Sequence, residues 1–344
     1  MVLLGRHSYI LKTNTHASTI EVPAWMFHPK RILQTLNLPF NRECSSQSTG
    51  VLIKPVIYFA AIFLSLVFLP LYIEAQPLPN GFPLSAKADL YFSQGKFEEA
   101  LEIYKTVLVD EADPSYVFRK MVKSWDAMKA LDKAEEFLNE YQRSHENSSA
   151  IWYALGYLHY IKDDDQKAEE MFKRATDLDP GNGLAWNNWA ASLVNGKHFQ
   201  EALEKARTAI RTNPKELMFF FNLKKIFEKM GEDKRFEEEY EKCLREGAES
   251  LAWGYGKTLA QTIRQSSFSD YDKGNLEGAI TGFEKILSIY RQIDDINGQV
   301  PTLFSLGLLH EENGNVQKGQ EFFRQVLSIN PDHIQAREKV KPAN

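Results

Sequence analysis

A spacing of about 34 residues, repeated along the chain, constrains its fold more than any other feature. At this spacing a small residue follows a turn and a pair of polar residues. The first four steps of this column are equal, and the last two are longer. Such a period is typical of solenoids, in which each unit is one hairpin stacked on its neighbours. The column consists of Ala100, Ala134, Ala168, Ala202, Phe236, Ala279 and Gly319.

The third unit of this column contains, in order, Trp152, Leu155, Gly156, His159, Ala168, Phe172, Ala175 and Pro180. In residue type and spacing the unit resembles the tetratricopeptide repeat family. The family signature is a Trp, then Leu-Gly, an aromatic, a later Ala, an aromatic, another Ala and a closing Pro. The resemblance implies an all-α fold, a right-handed solenoid of tetratricopeptide-type helix-turn-helix repeats.

The predicted array covers residues 84–333 as about seven repeats, of which the sixth is irregular. The segment SSFSDYDKGN, residues 266–275, is predicted as an insertion between the helices of that repeat. Gly254 and Gly256 are expected to weaken the helix before it, because glycine is a poor helix former. Residues 334–344 are predicted as a polar tail that caps the stack.

Packing explains the residue types of the signature. Gly156 and Ala175 are placed where the two helices of a hairpin touch, since only minimal side chains allow a close approach. Trp152, Leu155 and Phe172 are expected to fill the space between hairpins. Proline cannot continue a helix, so each second helix should end before a proline. The closing prolines are Pro180, Pro214 and Pro331.

An apolar run sets the expected compartment. Residues 55–73 contain no charge, and about 20 apolar residues are enough to span a bilayer. Residues 51–75 are therefore predicted as a signal peptide or a transmembrane helix, and residues 76–83 as a linker. Basic residues dominate before the run, so the N-terminal side should stay in the cytoplasm and the repeats outside it.

Residues 1–50 carry no helical or strand period. Two interpretations stay open for them. The segment is either a disordered leader, or an upstream segment annotated in error because translation starts near Val51 or Leu52.

The partner-binding site is predicted on the first helices of the second to fifth repeats. These helices line the concave groove of a solenoid, which is its usual binding face. Tyr153, Tyr157 and Tyr160 form one stripe and are expected to be exposed, although half-buried packing is the alternative.

Asn188 and Asn222 occupy equivalent positions in the fourth and fifth repeats, and the resemblance suggests that they hydrogen-bond a peptide backbone. Solvated or capping roles are the alternative for these two asparagines. Arg119, Lys120 and Lys123 would add a basic rim, or form an ordinary solvated face.

Several function classes are not supported by the sequence. It contains no GxxxxGK[ST], GxGxxG, HExxH or GxSxG motif, so we expect no enzyme and no cofactor. The net charge is −5, with the acidic excess after the apolar run, which argues against nucleic acid as a partner. Residues 163–165 are three aspartates placed in a turn, where they favour the next helix, so no metal site is predicted. Two cysteines are too few for a disulfide framework, and Cys243 is predicted to be a core residue.

The sequence thus predicts a non-catalytic scaffold or adaptor of the cell envelope that binds an extended peptide or a partner protein in its groove. It would be periplasmic, or anchored in the inner membrane through residues 55–73, with no small-molecule substrate. The groove residues suggest a segment with acidic character, but the Lys and Asn pattern of repeats that hold chaperone tails is missing. The alternative is a membrane-anchored import or transport receptor that reads targeting segments of its cargo.

Overall fold

A computed structural model describes residues 10–12, 17–19, 83–108 and 114–340 of the chain. They fall in two compact units, residues 1–107 and 108–344. The predicted signal or transmembrane segment lies outside the described residues, as does nearly all of the leader and linker. Among the described residues, no helix has the length and apolar character needed to cross a membrane.

The described part of the first unit holds one helical hairpin. Its helices are α1, Leu84–Ser93, and α2, Phe97–Val107, and Ala88 and Ala100 are fully buried in them. The unit also contains two three-residue strands, β1, Ile10–Lys12, and β2, Ala17–Thr19, which pair antiparallel. The strands fall in a segment for which the sequence showed no strand period.

The described part of the second unit is a stack of six helical hairpins and a short final helix, in which each helix packs on the next. This arrangement confirms the predicted all-α solenoid of helix-turn-helix repeats. The helices are α3, Ser115–Ala127; α4, Leu131–Ser144; α5, Ser149–Ile161; α6, Asp165–Leu178; α7, Gly183–Asn195; α8, Phe199–Thr212; α9, Leu217–Met230; α10, Arg235–Arg245; α11, Glu249–Asp272; α12, Leu276–Gln292; α13, Ile296–Glu312; α14, Val316–Ile329; and α15, Ile334–Lys339.

The residue column identified in the sequence lies at the contact between the two helices of each hairpin. All its alanines are fully buried, and Phe236 is 1% exposed. The facing side of the contact is equally tight: a Cβ atom added at Gly156 would lie 2.7 Å from the Phe172 ring. In the last hairpin, a Cβ atom at Gly307 would lie 2.4 Å from Phe323. Small residues at these places are therefore a steric requirement of the close helix contact.

The turn inside each of the first five hairpins contains one residue with a left-handed backbone, and these residues recur at the same period as the column. The φ angle is 77° at Gly95, 58° at Lys129, 58° at Asp163, 62° at Lys197 and 74° at Gly231. In each turn the next backbone N–H donates to a carbonyl five residues earlier, for example from Asp164 to His159 at 3.0 Å. A left-handed residue after the last helical turn ends the helix and reverses the chain. The period is thus present in the backbone as well as in the core.

The sixth repeat differs from the sequence prediction. Residues 266–275 are not an insertion between helices, because α11 continues through them to Asp272. The hydroxyls of Ser266 and Ser267 donate to the Ile263 carbonyl, and Phe268 packs edge-on against Phe283 at 5.5 Å. Hydrogen bonds inside the helix and an aromatic anchor keep this polar stretch helical.

The two glycines of α11 also have a different role from the one expected. Both are buried, and a Cβ atom at Gly254 would lie 2.2 Å from the Phe220 ring. A Cβ atom at Gly256 would lie 3.1 Å from Tyr240. These glycines let α11 approach α9 and α10 closely, which offsets their low helix propensity.

The left-handed turns predict opposite effects of two substitutions. Lys197→Gly should raise the free energy of unfolding by about 0.5–1 kcal/mol, because a left-handed non-glycine residue costs about 1–2 kcal/mol and glycine recovers most of it. Gly231→Ala, at the equivalent place, should lower it by about 1 kcal/mol. Urea denaturation of the two variants measures both changes, and equal changes of the same sign would contradict the assignment.

The hairpin contact predicts that Gly156→Leu lowers the free energy of unfolding by about 1–3 kcal/mol, since the added atoms overlap the Phe172 ring. Ala127→Leu, at an exposed position of α3, is the matched control and should stay within about 0.5 kcal/mol of wild type. Thermal and urea denaturation provide the comparison. Equal stability of the two variants would show that the contact is not tight.

Candidate functional site

The candidate site is the row of first helices α3, α5, α7 and α9, which belong to the second to fifth repeats. We call it the first-helix row. Neighbouring helices of the row contact one another directly. The structure therefore brings the predicted site residues of these four repeats onto adjacent helices.

Hydrogen bonds tie the N-terminal ends of the row together. The Asn182 side chain caps α7, where its oxygen accepts from the Ala185 N–H. Its Nδ2 donates to the Ser149 hydroxyl at 2.9 Å and to the Ser115 hydroxyl at 3.2 Å. One asparagine thus links the starts of three helices. Further along the row, the Tyr116 hydroxyl of α3 donates to the Glu216 carboxylate at the start of α9.

A chain of amides connects the middle of the row. Asn222 Nδ2 donates to the Asn187 carbonyl at 2.9 Å, and Asn187 Nδ2 donates to Asn188 Oδ1 at 3.0 Å. Asn188 Nδ2 in turn donates to the Tyr153 hydroxyl at 3.3 Å. The predicted asparagines therefore use amide donors within the fold, so a backbone-binding role would have to compete with these bonds. Sequence reasoning missed Asn187, although it adjoins Asn188.

The expectation of an exposed tyrosine stripe is wrong for two of its three members. Tyr153 is fully buried, Tyr157 is 8% exposed, and only Tyr160 is half-buried. Burial raises the pKa of the Tyr153 phenol well above its usual value, and it also raises that of Tyr157. The rings of Tyr153 and Tyr157 stack at 6.1 Å. Spacing along the helix predicted a common face, but not its depth, which the neighbouring helices determine.

The basic residues of α3 lie against this tyrosine layer. The Arg119 guanidinium sits 5.9 Å from the centre of the Tyr157 ring, and Arg119 Nε is buried without a hydrogen-bond acceptor. The pKa of Lys123 is lowered by burial and then by the positive charges of Arg119 and Lys120. The side chains of Arg119, Lys120 and Lys123 are all half-buried, so the predicted basic rim is only partly exposed to solvent.

Asp163 and Asp164 lie in the predicted turn, Asp165 is the first residue of α6, and the last two have structural partners. Asp164 caps α6 by accepting from the Lys167 N–H, and the Asp165 carboxylate accepts from Ser192 at 2.9 Å. Across the described part of the chain, no group of three or more His, Cys, Asp or Glu residues could hold a metal ion.

A shallow notch beside Trp189, away from the predicted residues, escaped sequence reasoning. Its volume is about 390 Å³. The Lys205 ammonium lies 4.0 Å from the centre of the Trp189 ring, and Trp186 stacks on the same indole at 5.6 Å. Cation and aromatic contacts thus occupy much of the indole surface. The notch is lined by Gln166, Glu169, Glu170, Lys173 and Trp189.

Three stretches of the chain match models of the tetratricopeptide repeat. One model matches residues 149–182, and a second matches residues 84–108 and 300–333. These stretches correspond to the third, first and seventh repeats of the column.

The chain is also similar to parts of larger proteins. It is 24% identical over 272 residues to the CTR9 homolog of Arabidopsis thaliana, covering 75% of this chain and 23% of that protein. It is 26% identical over 148 residues to a peroxisomal targeting signal receptor of Candida glabrata, covering 41% and 23%. The chain thus spans less than a quarter of these two relatives. A further distant relative is named as an O-mannosyl-transferase, of which the chain spans 26%.

Among solved structures, the Cut9-Hcn1 hetero-tetramer of the APC/C contains a chain that is 17% identical. The alignment has a TM-score of 0.40 and covers 75% of this chain and 54% of that one.

The amide chain predicts that Tyr153 is a structural residue. Tyr153→Phe should lower the free energy of unfolding by about 1 kcal/mol, because it removes the acceptor of the buried Asn188 amide. Tyr160→Phe is the matched control, since Tyr160 lies on the same helix and is half-buried; its stability should stay within about 0.5 kcal/mol of wild type. Denaturation in urea tests the difference, and an unchanged Tyr153→Phe variant would remove the hydrogen bond from this account.

Proposed function

We propose that this chain, a tetratricopeptide repeat protein, is a non-catalytic scaffold that binds an extended segment of a partner protein along its first-helix row. The observation that carries the proposal is the contrast within the row. Its floor is packed and hydrogen-bonded, whereas Arg119, Lys123, Tyr160 and Asn222 remain half-exposed above it. A rigid floor with polar and aromatic groups above it suits peptide recognition. Because the floor is already ordered, little conformational entropy is lost when a peptide binds.

The absence of catalysis is part of the proposal. Tetratricopeptide repeats are generally non-catalytic and bind other proteins or peptides. The ionisable groups of the row agree with this role, because burial raises the pKa values of Tyr153 and Tyr157 and so keeps both phenols protonated. We propose no small-molecule substrate and no nucleic acid partner.

We place the repeats in the cell envelope, outside the cytoplasm. Support comes from the uncharged run of residues 55–73 and from the basic residues that precede it. The protein would be periplasmic if the run is removed, and anchored in the inner membrane if it is kept. Protease treatment of intact spheroplasts distinguishes this placement from a cytoplasmic one, in which the repeats would be protected.

A second candidate function is that of a receptor that reads targeting segments of cargo. It is favoured by the similarity to the peroxisomal targeting signal receptor of Candida glabrata, whose name states such a role for that protein. In this chain the same first-helix row would hold the segment. Cargo reading requires repeats that face the compartment where cargo is made, so the protease experiment also separates the two candidates.

Site-specific photo-crosslinking in cells tests the binding face. A benzoyl-phenylalanine placed at Tyr160 or at Lys225 of α9 should crosslink to a common partner, whereas one at Lys242 of α10 should not. Lys242 is a suitable control because it is exposed but lies on a second helix. Crosslinking of the same partner from all three positions, or only from Lys242, would contradict the proposed face.

A further inference from the structure

Two half-buried cations lie on one face of α3. Arg119 and Lys123 are four residues apart and therefore lie on one face of the helix. We call this pair the basic pair. Within the described residues, neither cation forms an ion pair, whereas Lys120 beside them has a partner of its own.

Several other half-buried cations of the stack are neutralised by a carboxylate of a neighbouring hairpin. Lys162 pairs with Glu135, and Arg207 pairs with Glu239 at 2.5 Å. Lys257 pairs with Asp295, also at 2.5 Å. The corresponding contacts of the basic pair are with a tyrosine ring and with like charge.

The basic pair is also held in place. The Tyr157 ring lies under the Arg119 guanidinium at 5.9 Å, and that ring is stacked on the buried Tyr153, which is hydrogen-bonded to Asn188. Arg119 Nε is covered, so only the terminal nitrogens of the guanidinium are left for a ligand. Asp126, one turn beyond Lys123, contributes to the raised pKa of the Tyr157 phenol.

The same helix already binds one carboxylate. Tyr116, which lies one turn before Arg119 and Lys120, donates to the Glu216 carboxylate from the fifth repeat. An acidic group can therefore reach this face of α3 when it is carried by another segment. A partner carboxylate would bind further along the helix, where one guanidinium edge and one ammonium match its two oxygens.

We propose that the basic pair is a subsite for one aspartate or glutamate side chain of an extended partner segment, seated above Tyr157. This inference rests on the proposed function, because it names the chemistry that the first-helix row recognises. An acidic residue in the partner would neutralise two half-buried cations that have no ion-pair partner among the described residues. The partner segment would thus carry the charge that neighbouring hairpins supply elsewhere.

The probe is a positional-scanning library of decapeptides, acetylated at one end and amidated at the other, presented to the full chain. Wild type should retain peptides enriched in Asp or Glu at one position. Arg119→Gln/Lys123→Gln should lose that enrichment and bind the selected peptides at least about 10-fold more weakly, because two charged contacts are removed. Lys242→Gln/Arg245→Gln is the matched control, since it removes the same charge from exposed positions of α10 and should keep both.

Circular dichroism and urea denaturation of both double variants confirm that each is folded. Retention without any acidic preference, or retention only of peptides with a free terminal carboxylate, would overturn the subsite and leave the binding face intact. Loss of all retention by Ala191→Arg, which places a bulky charge on α7 in the middle of the row, would show that the selected peptides occupy the row. If wild type and Ala191→Arg retain the same peptides equally, both the subsite and the proposed function fail.

Discussion

The structure depends on the close approach of the two helices in each hairpin. Phe172 and Phe323 press on Gly156 and Gly307, and an added Cβ atom would overlap either ring. Because the contact leaves no room, the helices of a hairpin have one relative position, and the first helices are set side by side as the hairpins stack. The left-handed turns, which recur with the period of the column, reverse the chain at the same place in successive hairpins. A repeated steric constraint therefore determines which residues can share the first-helix row.

Much of this arrangement is predictable from sequence, because it depends on local residue size and spacing. The burial of Ala168 follows from the column, and the tight contact at Gly156 follows from the repeat signature of the third unit. The sixth repeat was not predictable in this way, because Ser266 and Ser267 are weak helix formers, and the aromatic contact that supports their helix is made by Phe268 with Phe283 of the next helix. Spacing reveals hairpins of standard length and fails where one helix is extended.

The sequence predicted which helix face carries the candidate site, but not how deeply the side chains of that face are buried. Helical spacing places Tyr153, Tyr157 and Tyr160 on one side of α5, but the adjacent helices decide that the first two are covered. Spacing also could not show that the Asn188 amide donates a hydrogen bond to Tyr153 of the preceding repeat. What sequence could not show is that Arg119 has no ion-pair partner among the described residues, since two ion pairs between hairpins join residues 32 and 38 positions apart. The function that we propose for the row rests on this difference between groups that have partners within the fold and groups that do not.

The central claim is that a preformed first-helix row, and not the second helices, is the surface that meets a partner. Hydrogen-exchange mass spectrometry of the full chain, with and without a peptide selected from the library, tests it directly. The account predicts slower exchange in α3, α5, α7 and α9, with α4, α6 and α8 unchanged. Slower exchange confined to α4, α6 and α8 would contradict it.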